Sequence, residues 1–453
     1  MARKYLTTGL LAAAALLLFT GLAFAAEAAV DPPITHAYIT MAILGVAGVL
    51  FFTELVPLPV TAMLVPVALS IFNIIPAKTA FSNFGNEWVV IFMAMFVVGE
   101  ATFVTGFADK VGKLTVKLSG GSEVKLLIFS MIAIAALSAL LSNTGTTVVA
   151  IPMIMGMCAT AGIRPSKILM PVAFAAGLGG CITLVGTPPN GLVNSVLGKM
   201  AADGFKPFAF FEFAKFGIPL TIVGILYFAL IGKKFLPDTH ASCTIEDELL
   251  DAKIPKVKRP EKMLVCLAIF AFVVASMATN FIPLVTAAML GACLIVITGC
   301  MTMKEAFKSI DWTTIFLFAG TLALSTALDK SGAAKLIATA VVSKVSDPYM
   351  LMGVVCGLTA IVTNFMSNTA TAALMAPLAI PIALQGGVSP LPLLMGIAMS
   401  ASACFLTPIA TPPNTIVLGP GNYRFMDYFK AGWPLQIISF FMCVFGIPLI
   451  WHF

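Results

Sequence analysis

Apolar runs without a single charged residue constrain this chain more than any other feature of its sequence. Residues 264–281 and 312–328 are two such runs. A helix of about 18 to 20 apolar residues is long enough to cross the hydrocarbon core of a bilayer, which is about 30 Å thick. Of all 453 residues, 60% are hydrophobic and only 10% are charged, whereas about one quarter of a soluble domain is charged. The sequence therefore predicts an all-α polytopic membrane protein embedded in a lipid bilayer.

Eleven predicted membrane crossings account for most of the apolar sequence, and two further stretches are interrupted. The stretches 126–160 and 348–384 are broken in the middle by polar residues and by Gly or Pro. Such a break predicts a re-entrant helical hairpin, which enters the membrane and returns on the same side. The predicted crossings lie near residues 5–25, 36–54, 57–75, 88–108, 168–198, 212–232, 263–282, 284–301, 312–329, 390–419 and 431–451.

The N-terminal segment 1–35 has two interpretations. Arg3 and Lys4 precede an apolar stretch that ends in the small residues of Ala23-Phe24-Ala25-Ala26, as in a secretory signal peptide. The same stretch is long enough to be a first transmembrane helix. Residues 1–35 are therefore either a signal-like segment or the first crossing.

Loop charges set the orientation of the predicted crossings. With Arg3 and Lys4 in the cytoplasm, most basic loops lie on the cytoplasmic side, as the positive-inside rule requires, and the loop 330–347 is the exception. The net charge of +6 thus reflects membrane topology and does not indicate nucleic acid as a partner. Lysines spaced among apolar residues at 107–125 predict an amphipathic helix on the cytoplasmic surface. The expected location is a bacterial inner membrane.

The second half of the chain repeats landmarks of the first half at a nearly constant offset. Ser142-Asn143-Thr144 recurs as Ser367-Asn368-Thr369, and Thr187-Pro188-Pro189-Asn190 recurs as Thr411-Pro412-Pro413-Asn414. The offsets of the two motif pairs agree to within a single position. Chance does not produce several such landmarks at one spacing. The two halves therefore share one structural plan.

An odd number of crossings separates equivalent points of the two halves. Five predicted crossings lie between Trp88 and Trp312, so the second copy is upside down relative to the first. We predict an inverted repeat formed by residues 36–235 and 263–453, joined by a cytoplasmic linker at 236–262. Inverted repeats with interrupted helices are typical of secondary transporters, whose substrates bind near the middle of the membrane.

The two Ser-Asn-Thr motifs supply hydroxyl and amide groups where a helix is expected to begin. Ser and Asn are favourable N-cap residues, and a helix N-terminus offers free N–H groups and a partial positive charge. Such a terminus binds carboxylate, sulfate or phosphate. Two of them, related by pseudo-twofold symmetry, are suited to hold a dianion at both ends.

The two Thr-Pro-Pro-Asn motifs predict unwound backbone. Successive prolines remove two N–H donors and cannot continue a helix interior, so carbonyl oxygens just upstream, such as those of Gly186 and Ala410, are left free. Hard oxygen ligands of this kind suit Na⁺. Ser138 and Thr363 each lie about one helical turn before a Ser-Asn-Thr motif, which predicts a pair of similar cation sites. No Arg or Lys lies within the four motifs, so bound cations would balance a dianion in the membrane.

Taken together, these motifs resemble those of the divalent anion:sodium symporter family, the INDY-like transporters of dicarboxylates, citrate and sulfate. The resemblance extends from about residue 36 to the end of the chain. It includes residues 53–61, which are similar to the family's TEAIPLPVT turn, Ser-Asn-Thr-Ala-Thr at 367–371, and both Thr-Pro-Pro-Asn motifs. Gly145 follows the first Ser-Asn-Thr, where the family usually has Ala.

The resemblance implies an elevator-type transporter, built as a homodimer in which a transport domain moves against a scaffold. It implies two sodium sites, the first formed by Ser138, Ser142, Asn143 and Gly186, and the second by Thr363, Met366, Asn368 and Ala410. The residues that it implies for the substrate are Ser142, Asn143, Thr144, Thr187, Ser367, Asn368, Thr369 and Thr411.

The sequence leaves the substrate and the coupling open. A sodium-coupled symporter of C4-dicarboxylates such as succinate or malate fits best. Sulfate or another oxyanion is an alternative substrate, and sodium-independent dicarboxylate exchange is an alternative mechanism. An intramembrane enzyme would need paired Asp, a Ser–His pair or a metal motif, and the predicted crossings contain none of these. We therefore expect a transporter and not an enzyme.

Overall fold

The structure is a computed structural model that describes residues 34–119, 122–201, 204–238, 259–345 and 347–453. This described part consists of helices, turns and loops and contains no strand. An all-helical fold is expected for a chain in a bilayer, because each helix satisfies its backbone hydrogen bonds internally. The predicted crossing at 5–25 and residues 239–258 of the predicted linker lie outside the described residues.

Ten α-helices form the first half of the described chain. They include short and amphipathic helices between the longer apolar ones. In order, α1 to α10 are Ile34–Thr53, Leu58–Ile71, Ala77–Phe81, Glu87–Val104, Phe107–Ser119, Glu123–Ser138, Asn143–Ala161, Leu169–Gly180, Pro188–Gly198 and Ala214–Leu230.

Ten α-helices also form the second half of the described chain, and they follow in the same order as those of the first. The helix order therefore agrees with the repeat that the motif spacing predicts. In order, α11 to α20 are Met263–Thr279, Leu284–Ile297, Met303–Ser309, Trp312–Lys330, Ala333–Val342, Pro348–Thr363, Asn368–Gln385, Pro390–Ser402, Pro412–Leu418 and Phe425–Phe441.

Each stretch that we predict as a hairpin contains two helices joined by a short turn. In the first half α6 ends at Ser138 and α7 begins at Asn143, and in the second half α16 ends at Thr363 and α17 begins at Asn368. The Ser-Asn-Thr motifs therefore lie at the turn, as the N-cap argument predicts. Whether the hairpins are re-entrant stays a prediction.

The crossings predicted at 168–198 and 390–419 are each divided into two helices. The first is interrupted between α8 and α9, and the second between α18 and α19. Helices α9 and α19 begin at Pro188 and Pro412, where a missing N–H costs nothing. The unwound backbone therefore lies just before the prolines.

One helix is absent from the sequence-based prediction. We treated residues 330–347 as a loop, but the structure forms helix α15 at Ala333–Val342. This segment is rich in Ala, the strongest helix former. It is the counterpart of the predicted amphipathic helix at 107–125, which the structure forms as α5 at Phe107–Ser119.

The two halves pack against each other reciprocally. Helix α2 of the first half lies against α14 of the second, and α12 of the second half lies against α4 of the first. The approach of α2 and α14 is close, because a Cβ atom at Gly320 would lie 2.1 Å from the carbonyl oxygen of Ala62. Helices α8 and α18 are buried along almost their whole length and form the centre of the helical array with the hairpins around them.

Five stretches of the described chain are long and apolar enough to cross a bilayer as single helices. Several other apolar helices have only 10 to 17 residues. The structure therefore agrees with a polytopic helical membrane protein, whereas the total of eleven crossings stays a prediction. The five stretches are Ile34–Thr53, Ala77–Val104, Pro260–Thr279, Trp312–Lys330 and Phe425–Leu449.

Candidate functional site

The turns of both hairpins and both unwound segments surround one cavity of about 210 Å³. Helix α4 and the beginning of α14 also line the cavity, with Phe92, Phe96 and Asp311 among the lining residues. All eight residues that the resemblance implies for the substrate line the cavity, so the fold brings together motifs from opposite halves of the sequence. They are Ser142, Asn143, Thr144, Thr187, Ser367, Asn368, Thr369 and Thr411.

Two helices begin at the cavity with serine caps. The Ser142 hydroxyl accepts a hydrogen bond from the backbone N–H of Gly145 at 3.4 Å, and the Ser367 hydroxyl accepts one from Ala370 at 3.2 Å. The N-termini of α7 and α17 therefore carry their partial positive charges at the cavity. Free N–H groups and positive dipole ends favour an anion there.

A cluster of oxygen atoms lies behind the first Ser-Asn-Thr motif. The Ser138 hydroxyl lies 2.5 Å from the side-chain oxygen of Asn143 and donates to the carbonyl of Ala176 at 2.8 Å. The same amide position of Asn143 lies 3.1 Å from the carbonyl oxygen of Gly186 and 3.3 Å from that of Ala176. If this position holds the amide nitrogen, it donates to those oxygens. If it holds the oxygen, that oxygen faces the two carbonyl oxygens and only the Ser138 hydroxyl can donate to it, so the amide nitrogen fits this position better.

An equivalent cluster lies behind the second Ser-Asn-Thr motif. The Thr363 hydroxyl lies 3.0 Å from the side-chain oxygen of Asn368 and donates to the carbonyl of Ala401 at 2.6 Å. In the sequence, Ala401 follows Ala176 at the same spacing at which Thr363 follows Ser138. Ala410 lines the cavity beside this cluster, as Gly186 does beside the first.

Three of the residues implied for cation binding do not line the cavity. Ser138 and Thr363 are buried behind the two asparagines, where they hold the amides through the hydrogen bonds just described. The side chain of Met366 is buried in an apolar cluster with Leu324 and Ala370. If Met366 contributes to a cation site, it therefore does so through its main-chain atoms.

The last residue of each Thr-Pro-Pro-Asn motif holds the unwound segment in place. The Asn190 amide donates to the carbonyls of Gly180 at 3.1 Å and Thr183 at 2.8 Å. The Asn414 amide donates to the equivalent carbonyls, those of Cys404 and Thr407, at 3.2 Å each. These bonds satisfy carbonyls at the interruption of each helix, and the carbonyl of Thr183 also accepts from the N–H of Gly186 at 3.3 Å.

Two threonines that the sequence analysis did not single out connect each unwound segment to its hairpin turn. The Thr183 hydroxyl donates to the carbonyl of Ala139, and the Thr407 hydroxyl donates to the carbonyl of Asn364 at 2.6 Å. The two threonines are separated by the same offset as the two Thr-Pro-Pro-Asn motifs. That shared offset is the signal that could have identified them.

The two halves of the site are not identical. Gly180 of the first half is replaced by Cys404 in the second, and the Cys404 thiol lies 3.2 Å from the side-chain oxygen of Asn368. The second half also contains the buried side chain of Gln436, which donates to the carbonyl of Ala403 at 2.8 Å and accepts from the N–H of Phe405 at 3.2 Å. The surroundings of the two asparagines therefore differ.

Comparison with known proteins identifies the family. A sequence profile of the citrate transporter family matches residues 48–380 and 345–453. The chain belongs to this family. The resemblance to divalent-anion transporters that the motifs indicate is thereby confirmed.

Transporters match this member of the citrate transporter family over most of their own length. An uncharacterized transporter of Escherichia coli, YfbS, is 26% identical over 91% of this chain and 99% of its own. One of Methanocaldococcus jannaschii is 29% identical over 89% and 91%. The sodium-dependent dicarboxylate transporter SdcS of Staphylococcus aureus is 26% identical over 86% and 81%. The chain is thus a multi-pass membrane transporter and not an enzyme.

Solved structures support the fold. The YdaH transporter of Alcanivorax borkumensis matches with a TM-score of 0.60 at 15% identity, over 93% of this chain and 98% of its own. MtrF of Neisseria gonorrhoeae matches with a TM-score of 0.59 at 12% identity, over 84% of each chain. At such identities the comparison concerns the fold alone, and it agrees with the predicted helical membrane transporter.

Proposed function

We propose that this family member is a sodium-coupled symporter of small divalent anions, with C4-dicarboxylates such as succinate or malate as its substrates. The observation that carries the proposal is the matched pair of clusters at one cavity. Each half contributes a capped helix N-terminus, an asparagine side chain, a hydroxyl group behind it and a stretch of unwound backbone.

The shape and chemistry of the cavity support a small dianion. Its volume of about 210 Å³ is below the roughly 300 to 1,000 Å³ that is usual for drug-sized ligands. Ser142 and Thr144 of one half and Ser367 and Thr369 of the other provide hydroxyl groups for two acidic groups of one ligand. A C4-dicarboxylate carries its two charges at opposite ends, which matches two helix N-termini facing one cavity.

The oxygen clusters support sodium as the coupling ion. Carbonyl, hydroxyl and amide oxygens are hard ligands, which suit Na⁺ better than a softer transition metal. Ser138, Asn143 and Gly186 supply such atoms in the first half, and Thr363, Asn368 and Ala410 supply the corresponding groups in the second. Sodium bound at these positions would offset the charge of a dianion in the low-dielectric interior. The sodium dependence of the Staphylococcus relative supports the same assignment.

The division of the cavity walls supports an elevator mechanism. We assign the hairpins and interrupted helices, α6–α9 and α16–α19, to a transport domain that carries the substrate. The reciprocally packed helices α1–α4 and α11–α14 would form the scaffold and the contact of a homodimer. Movement of the first set against the second would expose the cavity alternately on the two sides of a bacterial inner membrane.

A ligand screen on the purified full-length protein tests the proposal. The unfolding temperature in detergent is measured with succinate, malate, citrate and sulfate, each in NaCl and in KCl of equal ionic strength. We expect succinate or malate to raise the unfolding temperature in NaCl only. A ligand at about 100 times its Kd adds about 2.7 kcal/mol to the free energy of unfolding. Stabilisation by sulfate alone would contradict the dicarboxylate assignment. Equal stabilisation in KCl would favour a sodium-independent exchanger.

A further inference from the structure

The part of the cavity lining that α14 and its N-cap contribute carries one acidic side chain, which is exposed. Asp311 precedes α14 and lines the cavity together with Thr313, Thr314 and Leu317. Among the described residues that line the cavity, Asp311 is the one with a charged side chain. No ion pair joins it to a basic side chain of the described part of the chain.

Asp311 caps α14, but capping does not require its charge. One carboxylate oxygen accepts from the backbone N–H of Thr313 at 3.1 Å, and the other accepts from the Thr314 hydroxyl at 2.5 Å. In the first half, the N-cap of the corresponding helix α4 is neutral Asn86, which accepts from the N–H of Trp88 at 2.9 Å. The acidic residue that the spacing of Trp88 and Trp312 aligns with Asp311 is Glu87, the first residue of α4. Asn and Asp are about equally good N-caps. The capping of α14 therefore does not account for the negative charge at position 311.

The charge of Asp311 acts electrostatically on an anion in the cavity. An anion in the cavity meets the carboxylate of Asp311 without a basic side chain in the lining to screen it, and the repulsion grows with each charge on the anion. The two helix N-termini and bound cations attract the same anion with a fixed positive charge. Asp311 lowers the positive potential that these groups create, so each further negative charge on the anion gains less attraction than it would without the carboxylate. Asn86 does not line the cavity and exerts no comparable effect.

We propose that Asp311 is a charge-selectivity residue, which limits the anion carried by this transporter to a dianion and disfavours a trianion of similar chain length. This inference rests on the proposed function, since it concerns the charge of the anion that the same cavity binds. It identifies a specificity-determining residue outside the repeated motifs.

Succinate and tricarballylate, a trianion with a similar hydrocarbon chain, test the inference. Their dissociation constants are measured in NaCl for the wild-type protein and for Asp311→Asn, which keeps the cap and removes the charge. We expect the affinity for tricarballylate to rise more than that for succinate, by a factor on the order of five, as for one extra unit charge in a partly screened site. The matched control is Asn86→Asp, which adds a charge at the equivalent cap outside the cavity and should leave the ratio of the two constants unchanged.

The outcomes separate this inference from the proposed function. If the wild-type protein binds neither anion, the proposed function fails and the inference fails with it. If the wild-type protein binds succinate but Asp311→Asn changes both affinities by the same factor, only the inference is overturned. A lower sodium affinity with an unchanged anion ratio would also overturn it, because Asp311 would then attract the cation. Asp311→Ser, a second neutral cap, provides the same comparison if the Asn variant does not fold.

Discussion

Ser138 and Thr363, which occupy equivalent positions in the two halves of the chain, make the same pair of hydrogen bonds. Each hydroxyl donates to the carbonyl of an alanine in the helix that follows the hairpin, and each lies within hydrogen-bond distance of the side-chain amide of an asparagine. The asparagine therefore has its position fixed from behind while its other face is turned to the cavity. Two copies of this arrangement at one cavity are the structural basis of the proposed symport.

Removing either asparagine side chain is expected to abolish transport. Asn143→Ala and Asn368→Ala each delete an amide that faces the cavity and leave a buried hydroxyl without one of its partners. Uptake of labelled succinate into proteoliposomes should fall to the level of empty liposomes, with normal membrane insertion. Asn83→Ala, in the short 3-10 helix Ser82–Gly85 and outside the cavity lining, is the matched control and should transport normally. Normal transport by both site variants would show that the site is assigned wrongly.

Gly186 should tolerate no side chain, although its counterpart is Ala410. A Cβ atom at Gly186 would lie 2.5 Å from the carbonyl oxygen of Gly180 and 3.0 Å from that of Ala139, so the unwound segment would have to shift. We expect Gly186→Ala to raise the sodium concentration for half-maximal succinate uptake tenfold or more, in line with the effect of a misplaced ligand.

Gly45→Ala serves as the control for that substitution. A Cβ atom at Gly45, in α1, would meet nothing within 4 Å, and Ala is the better helix former. The sodium dependence of this variant should match that of the wild-type protein. An unchanged sodium dependence in Gly186→Ala would place the first cation site elsewhere.

The threonines that connect the unwound segments to the hairpin turns should contribute to stability in both halves. Thr183→Val and Thr407→Val keep the shape of the side chain but leave the carbonyls of Ala139 and Asn364 without these donors. A buried carbonyl without its donor costs about 1–3 kcal/mol, which should appear as a lower unfolding temperature in detergent. Thr279→Val, at an exposed threonine, should unfold close to the wild-type temperature. Equal unfolding temperatures for all three variants would refute the role of these bonds.

Gln436 should stabilise the second half of the site alone. Its buried amide bonds to the main chain of Ala403 and Phe405 and lies 3.3 Å from the amide nitrogen of Asn364. Gln436→Leu leaves several buried groups without partners, so we expect a loss of about 2–5 kcal/mol in stability. Gln385→Leu, at an exposed glutamine that bonds to Thr339, is the control and should change the unfolding temperature little. A mild effect at Gln436 would mean that water replaces its bonds.

The parts of the site that depend on repeated local chemistry were predictable from sequence. The N-caps Ser142 and Ser367 and the prolines at the start of α9 and α19 follow from backbone donors and dihedral angles. Their spacing recurs in both halves, so their convergence at one cavity could be expected. Their roles in binding stay predictions.

The parts that depend on three-dimensional packing were not predictable. Helix α15 is too short, at 10 residues, to be predicted as a membrane crossing, and its place is fixed by its packing against α17. Gln436 interrupts the apolar run 431–438 of α20, and its partners lie on a different segment, well before it in the chain. Asp311 directly precedes Trp312, a landmark of the repeat, but only the fold places it at the cavity.

Sodium-driven uptake tests the central claim most directly. Proteoliposomes containing the full-length protein are loaded with buffer, and uptake of labelled succinate is followed with an inward sodium gradient, with an equal potassium gradient, and with unlabelled succinate inside but no sodium. The proposed symport predicts accumulation above the external concentration with the sodium gradient alone. Uptake that ignores sodium and is accelerated only by internal succinate would contradict the account and identify an exchanger.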